Sequence, residues 1–164
     1  MSFKIFVSYS SKDIENVYQI SQLIQESNIE IFISERSLPI GTELKPALKN
    51  AIYNCDLFIL LWTENAKNSE WVSQEIGIAL AKNKTILPLV TSNDLILPGF
   101  IKDINHVAIY KDSNKGFSKL RERVLELYKE KEKQVKSRQV KQKNQQEIAL
   151  LALGGFLLWL FNQK

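Results

Sequence analysis

The chain of 164 residues contains one cysteine, Cys55, and one histidine, His106. That scarcity excludes an internal disulfide and a Cys/His metal cluster, and it permits a Cys-His catalytic pair only if those two side chains meet. It also fits an intracellular, reducing compartment. Cys55 stands between Tyr53-Asn54 and an apolar run and reads as a small buried hydrophobe, while His106 opens a weak strand and reads as structural. GxGxxG, GxxxxGK[ST] and GxSxG are all missing, so dinucleotide redox chemistry, P-loop phosphoryl transfer and a hydrolase nucleophile elbow have no foothold. The opening MSFKIFVSYS lacks the long apolar core of a secretory signal and reads as a strand.

What is present supports a folded domain, since 45% of the residues are hydrophobic. The net charge of +4 is unevenly placed. Residues 129 to 143, KEKEKQVKSRQVKQK, carry seven basic and two acidic side chains, and this surplus of five exceeds the charge of the whole chain. The remainder is near neutral. With no aromatic residue interleaved in the run, nucleic acid is not an expected partner.

Taken in order, Phe3 to Ser8 is a short, nearly continuous apolar strand, followed by a polar turn, Tyr9 to Asp13. Ile14, Val17, Ile20 and Leu23/Ile24 have helical spacing, with Asp13 expected to cap that helix. Ile29 to Ile33 predicts a second strand. The loop SERSLPIGTE follows, then a helix capped by Thr42, with Pro46 near its first turn, running to about Asn54. Asp56 to Trp62 begins with a strand-starting aspartate and predicts the central buried strand. After the polar loop TENAKNSE, residues 68 to 81 predict a helix whose inward stripe is Val72, Ile76, Ala79 and Leu80. Trp71 and Glu75 lie one turn apart beside that stripe, which places Glu75 at its border. Thr85 to Val90 is a fourth strand, and Pro88 within it predicts a peripheral or irregular pairing. A loop containing Pro98-Gly99 leads to a weak fifth strand, His106 to Tyr110.

From Lys115 onwards Phe117, Leu120, Val124 and Leu127 predict a packed helix, and neither Gly nor Pro interrupts the chain between Phe117 and Leu153. The alternation of strands and helices implies an α/β, flavodoxin-like fold: a five-stranded parallel sheet with helices on both faces, plus a C-terminal helical extension. Three segments follow: a domain over 1–128, a basic helical linker over 129–147 and an apolar tail over 148–164. The uncharged run from Ile148 to Phe161 would make a helix of about 21 Å, short of the roughly 30 Å hydrocarbon core. An interfacial anchor, a short span, and packing on itself or, as an oligomerisation helix, on a neighbouring protomer are its readings. The expected location is cytoplasmic, with tethering to a membrane by this tail.

Lys4 to Ser10 followed by Lys12-Asp13, the loop Arg36 to Gly41, Ala51-Ile52 before DLFILLW, and Ser69-Glu70-Trp71 leading to Glu75 together resemble a TIR (Toll/interleukin receptor) domain of the bacterial or archaeal kind. The similarity spans residues 1 to 125 in order and spacing. It implies cleavage of the nicotinamide-ribose bond of NAD, with NAD as substrate and no cofactor or metal. By the same carry-over the catalytic glutamate is Glu75, in the pattern WxxxE with Trp71, and Tyr9, Ser10, Arg36 and Leu38 contribute to substrate binding. Self-association and a role in anti-phage immunity are further implications. The chemistry tolerates a single carboxylate, because nicotinamide leaves NAD as a neutral molecule and needs no general acid. Two other classes remain open: a non-catalytic adaptor that docks other TIR domains through residues 34 to 41, and a nucleoside-processing transferase with a catalytic glutamate.

Overall fold

A computed structural model of the chain describes residues 2–33 and 46–161. It divides into a compact unit, Met1–Val124, and a second unit, Leu125–Lys164. In the first unit, β1 (Phe3–Ser8), β2 (Ile29–Ile33), β3 (Leu57–Trp62), β4 (Thr85–Val90) and β5 (Val107–Ala108) form one sheet in the order β2-β1-β3-β4-β5. All four pairings are parallel. The helices are α1 (Ile14–Ile24), α2 (Pro46–Asn54), α3 (Glu64–Lys67), α4 (Glu70–Ala81) and α5 (Ser113–Phe161), with a 3-10 turn at Ser11–Asp13.

β3 is the centre of the sheet because it can afford to be: all six of its residues are apolar and all are buried. Successive side chains of a strand point to opposite faces. On one face Phe6, Phe58, Leu60, Trp62, Ile86 and Val90 pack with Leu48 and Ile52 of α2 and with Val72, Ile76 and Ala79 of α4. The Phe6 ring stacks between those of Phe32 and Phe58, at centroid distances of 5.6 and 5.4 Å, and ties three strands together. The alternate residues Ile5, Val7, Leu57, Ile59, Leu61 and Leu89 are equally buried, as are Val17, Ile20 and Ile24 of α1 and Leu120 and Val124 of α5. An Arg121–Glu26 ion pair at 2.8 Å joins the start of α5 to the chain just beyond α1.

Three expectations change. The polar loop after β3 contains a short helix, α3, started by Thr63, whose side chain accepts from the Ala66 amide. The connection from β4 to β5 is irregular, as the Pro98-Gly99 loop predicts; Leu95, Leu97 and Ile101 within it are buried, and the Trp62 indole donates to the Ile96 carbonyl. The fifth strand shrinks from His106–Tyr110 to Val107–Ala108, which pairs only with Leu89 and Val90, past Pro88, where a ladder donor is missing. Leu80 is half-buried rather than fully inward. The Thr42 cap lies outside the described residues.

Cys55 behaves as expected of a buried thiol: it donates to the Ile52 carbonyl, and burial pushes its pKa up to about 11. Asp56 brackets the start of β1, its carboxylate accepting from the Lys4 amide at 2.8 Å while its own amide donates to the Lys4 carbonyl. In the second unit α5 continues through the basic segment, where residues 136 to 150 are exposed. Among the described residues no helix is long and apolar enough to cross a membrane.

Candidate functional site

In an open parallel sheet, ligands bind beyond the C-terminal strand ends where the connections turn in opposite directions. The order β2-β1-β3 makes β1 and β3 that point, since the chain leaves β1 towards β2 on one side and continues from β3 towards β4 on the other. Ser8, the last residue of β1, stands opposite Leu60 of β3. Beyond it run Tyr9, Ser10 and the 3-10 turn, and beyond Trp62 run Thr63 and α3.

Glu75 reaches this crevice from the sixth position of α4. The helix is started by Ser69, whose hydroxyl accepts from the Val72 amide, and is held to the sheet by Val72, Ile76 and Ala79. Sequence spacing places Glu75 at the border of that stripe; the structure instead buries it completely, at 0% exposure. The physical reason is a polar partner on the sheet. Ser8 Oγ, itself at 0% exposure, donates to Glu75 Oε2 at 2.5 Å. A carboxylate removed from water needs such charge-assisted bonds.

The neighbouring residues are arranged around that bond. Tyr9 and Ser10 follow it directly and are nearly covered, at 1% and 8% exposure. Trp71 is half-buried against the core beneath α4 rather than displayed as an open wall. Arg36 and Leu38 lie outside the described residues.

Asp13 occupies the position that caps α1, yet its side chain caps nothing. Its carboxylate instead accepts from Thr63 Oγ1 at 2.6 Å and from Asn65 Nδ2 at 2.8 Å, across the crevice. Ser8, Thr63 and Asn65 were not singled out by the sequence. Their only signal is position at the ends of two apolar strands, because a short polar side chain there reads as an ordinary turn residue. A cleft of about 310 Å³ lined by Lys4, Glu30, Phe32, Asn50 and Asn54 includes none of these residues. It flanks the edge strand and α2.

The TIR domain family model matches residues 5–123. The chain belongs to the TIR domain family. No curated protein matches the chain. Among solved structures it is similar to the TIR domain of the Toll-related receptor TRR-2 from Hydra magnipapillata, at 18% identity and a TM-score of 0.55, over 73% of this chain and 94% of that one. It is also similar to a prokaryotic SEFIR domain, at 20% identity and a TM-score of 0.53, over 75% of this chain and 98% of that one. At such identities the likeness establishes the TIR-like fold. The match ends at residue 123, within the first turns of α5, so the basic segment and tail lie outside it.

Proposed function

We propose that this TIR domain is an NAD glycohydrolase in which Glu75 acts on the ribose. The supporting observation is the complete burial of a carboxylate, bonded to Ser8, beside the topological switch point of the sheet. Burying an ionisable group is costly and gives nothing to packing that an apolar side chain would not, and such groups gather at functional sites. Cleavage breaks the bond between ribose C1′ and nicotinamide N1, and the bonding electrons neutralise the pyridinium nitrogen. The ribosyl cation left behind is stabilised by the Glu75 carboxylate. Water captures it to give ADP-ribose and a proton; capture by a group of the same molecule or of an acceptor gives a cyclised or transferred product.

In the ligand-free chain Glu75 is closed from solvent. NAD entry therefore requires movement of the groups that cover it, which accords with activation by self-association of TIR domains. Signalling in anti-phage immunity is the role that fits such an enzyme. The basic helix and apolar tail would hold copies together on an anionic membrane surface, lying in the interface.

The test is nicotinamide release from NAD by the full chain beside Glu75→Gln and Glu75→Ala. Loss of about 10²–10³-fold in turnover is expected for removal of one charge-stabilising group. Equal turnover by all three proteins would remove Glu75 from the chemistry. The same closure of Glu75 favours a second reading, a scaffold acting by TIR–TIR association. It is supported if the assembled protein releases no nicotinamide. Deoxynucleosides in the same assay test transferase activity.

A further inference from the structure

We infer that Asp13 is a positioning residue of the site: its carboxylate fixes the Tyr9–Ser10 loop against the end of β3 and so sets the geometry of the NAD crevice. The inference rests on the proposed NAD chemistry. It concerns a residue that the sequence pattern assigns to helix capping, and that the structure uses otherwise.

Three observations carry it. The loop from Tyr9 to Ser10 is pinned at both ends: Ser8 is bonded to Glu75, and the Asp13 amide donates to the Ser10 carbonyl at 2.8 Å. The Asp13 side chain then spans from the end of β1 to the end of β3, accepting from Thr63 Oγ1 and Asn65 Nδ2, so each carboxylate oxygen has its own donor. Finally, Thr63 is held in that orientation because its hydroxyl oxygen also accepts from the Ala66 amide at 2.9 Å, which commits its single proton to Asp13. The result is a cross-link between the two strand ends that border the crevice; its Asp13–Thr63 bond lies at 7% exposure, where water competes poorly, while Asn65 is exposed.

The acceptor-only character of Asp13 is essential to this. An asparagine at position 13 would turn its amide nitrogen towards one of two donors and lose at least one of the bonds. Glu75 would keep its own hydrogen bond to Ser8. A loosened loop therefore weakens NAD binding more than it slows the bond-breaking step, whereas mere destabilisation of the fold does neither selectively.

The experiment measures NAD affinity by calorimetry on the full chain carrying Glu75→Gln, which slows turnover by about 10²–10³-fold, with and without Asp13→Asn and Thr63→Val. Thr63→Ser, which retains the hydroxyl, is the conservative control. Gly116→Ala, placed outside the site, controls for lost stability. Roughly tenfold weaker binding is expected for Asp13→Asn and Thr63→Val, as for one lost buried hydrogen bond, with wild-type affinity in both controls. In turnover by the chain with Glu75 intact, KM should rise more than kcat falls. Unchanged affinity in Asp13→Asn, or a drop matched by Gly116→Ala, overturns the inference while leaving NAD as ligand. Absence of NAD binding in the parent protein defeats the functional reading instead. In that event hydrogen exchange still decides the clamp: faster exchange over residues 9–13 and at Ala66 in Asp13→Asn supports it, and unchanged protection refutes it.

Discussion

Ser8 Oγ donates to Glu75 Oε2 across 67 positions of sequence, joining the end of β1 to the middle of α4 inside the protein. A serine at that position is therefore part of the reason a glutamate is tolerated there. Ser8→Ala removes the donor and leaves the buried carboxylate with one bond fewer, for an expected loss of about 1–3 kcal/mol in urea unfolding. Combining it with Glu75→Gln should cost less than the sum of the two single changes, because they share one interaction. Additive losses would show that the bond contributes nothing to stability.

Two glycines predict opposite signs. A Cβ at Gly116 would come within 2.8 Å of Ile109 Cγ2 and 3.0 Å of Ile109 Cα, so Ile109, its backbone included, would have to shift. Gly116→Ala should destabilise by about 1–3 kcal/mol through overpacking. At Gly77, exposed on α4, a Cβ meets nothing within 4 Å. Gly77→Ala should therefore stabilise by roughly 0.5–1 kcal/mol, the helical difference between the two residues. Thermal unfolding of the pair of variants reads both.

Burial pushes the Cys55 thiol from 9.0 up to about 11, with Lys84 opposing the shift. The thiolate is the reactive form, so alkylation by iodoacetamide at pH 8 should be slow in the native protein and rapid in urea. The folded thiol holds its proton to higher pH than the unfolded one. Its contribution to stability is thus complete below about pH 9 and falls as pH rises towards about 11. Cys55→Ala should flatten that part of the stability profile; an unaltered slope would refute the assignment.

For the tail, sedimentation with vesicles gives the measurement. The full chain should bind vesicles rich in phosphatidylserine, release only in part at high salt, and bind neutral vesicles much less, since each near-surface basic residue contributes about 1 kcal/mol. Removing residues 148 to 164 should abolish the salt-resistant part. Equal sedimentation of both proteins would leave the apolar run without a role in membrane binding.

The sequence is legible where one physical demand dominates a segment. Ile29–Ile33 and Thr85–Val90 fall where expected because a short apolar run between polar residues leaves little choice. Pro88 foretells the curtailed pairing with β5 for the same kind of reason. α3 escapes because four residues are too few to show a period. The connection from β4 to β5 reads as a loop from Pro98-Gly99, but the burial of Leu95, Leu97 and Ile101 within it escapes because they pack without a period. In the site, Glu75 is found through its spacing from Trp71 and the family resemblance, but its burial is not: a glutamate beside an apolar stripe reads alike whether it faces water or Ser8. Asp13 fails similarly, since a cap and a cross-link to residues 50 and 52 positions away demand the same side chain. Long-range polar partners leave no local trace.

The central place of β3 has a kinetic consequence. Lys4 bonds to Asp56, 52 positions later, and the register between β1 and β3 continues from that point to Ser8 and Leu60. At a synthesis rate of 5–20 residues per second, β1 leaves the ribosome about 3–10 s before its inner neighbour exists. Until then β1 has only β2 to pair with, and its other edge is open. The first strand made thus keeps one edge open until β3 exists, and the crevice it borders cannot form until α4 has been made.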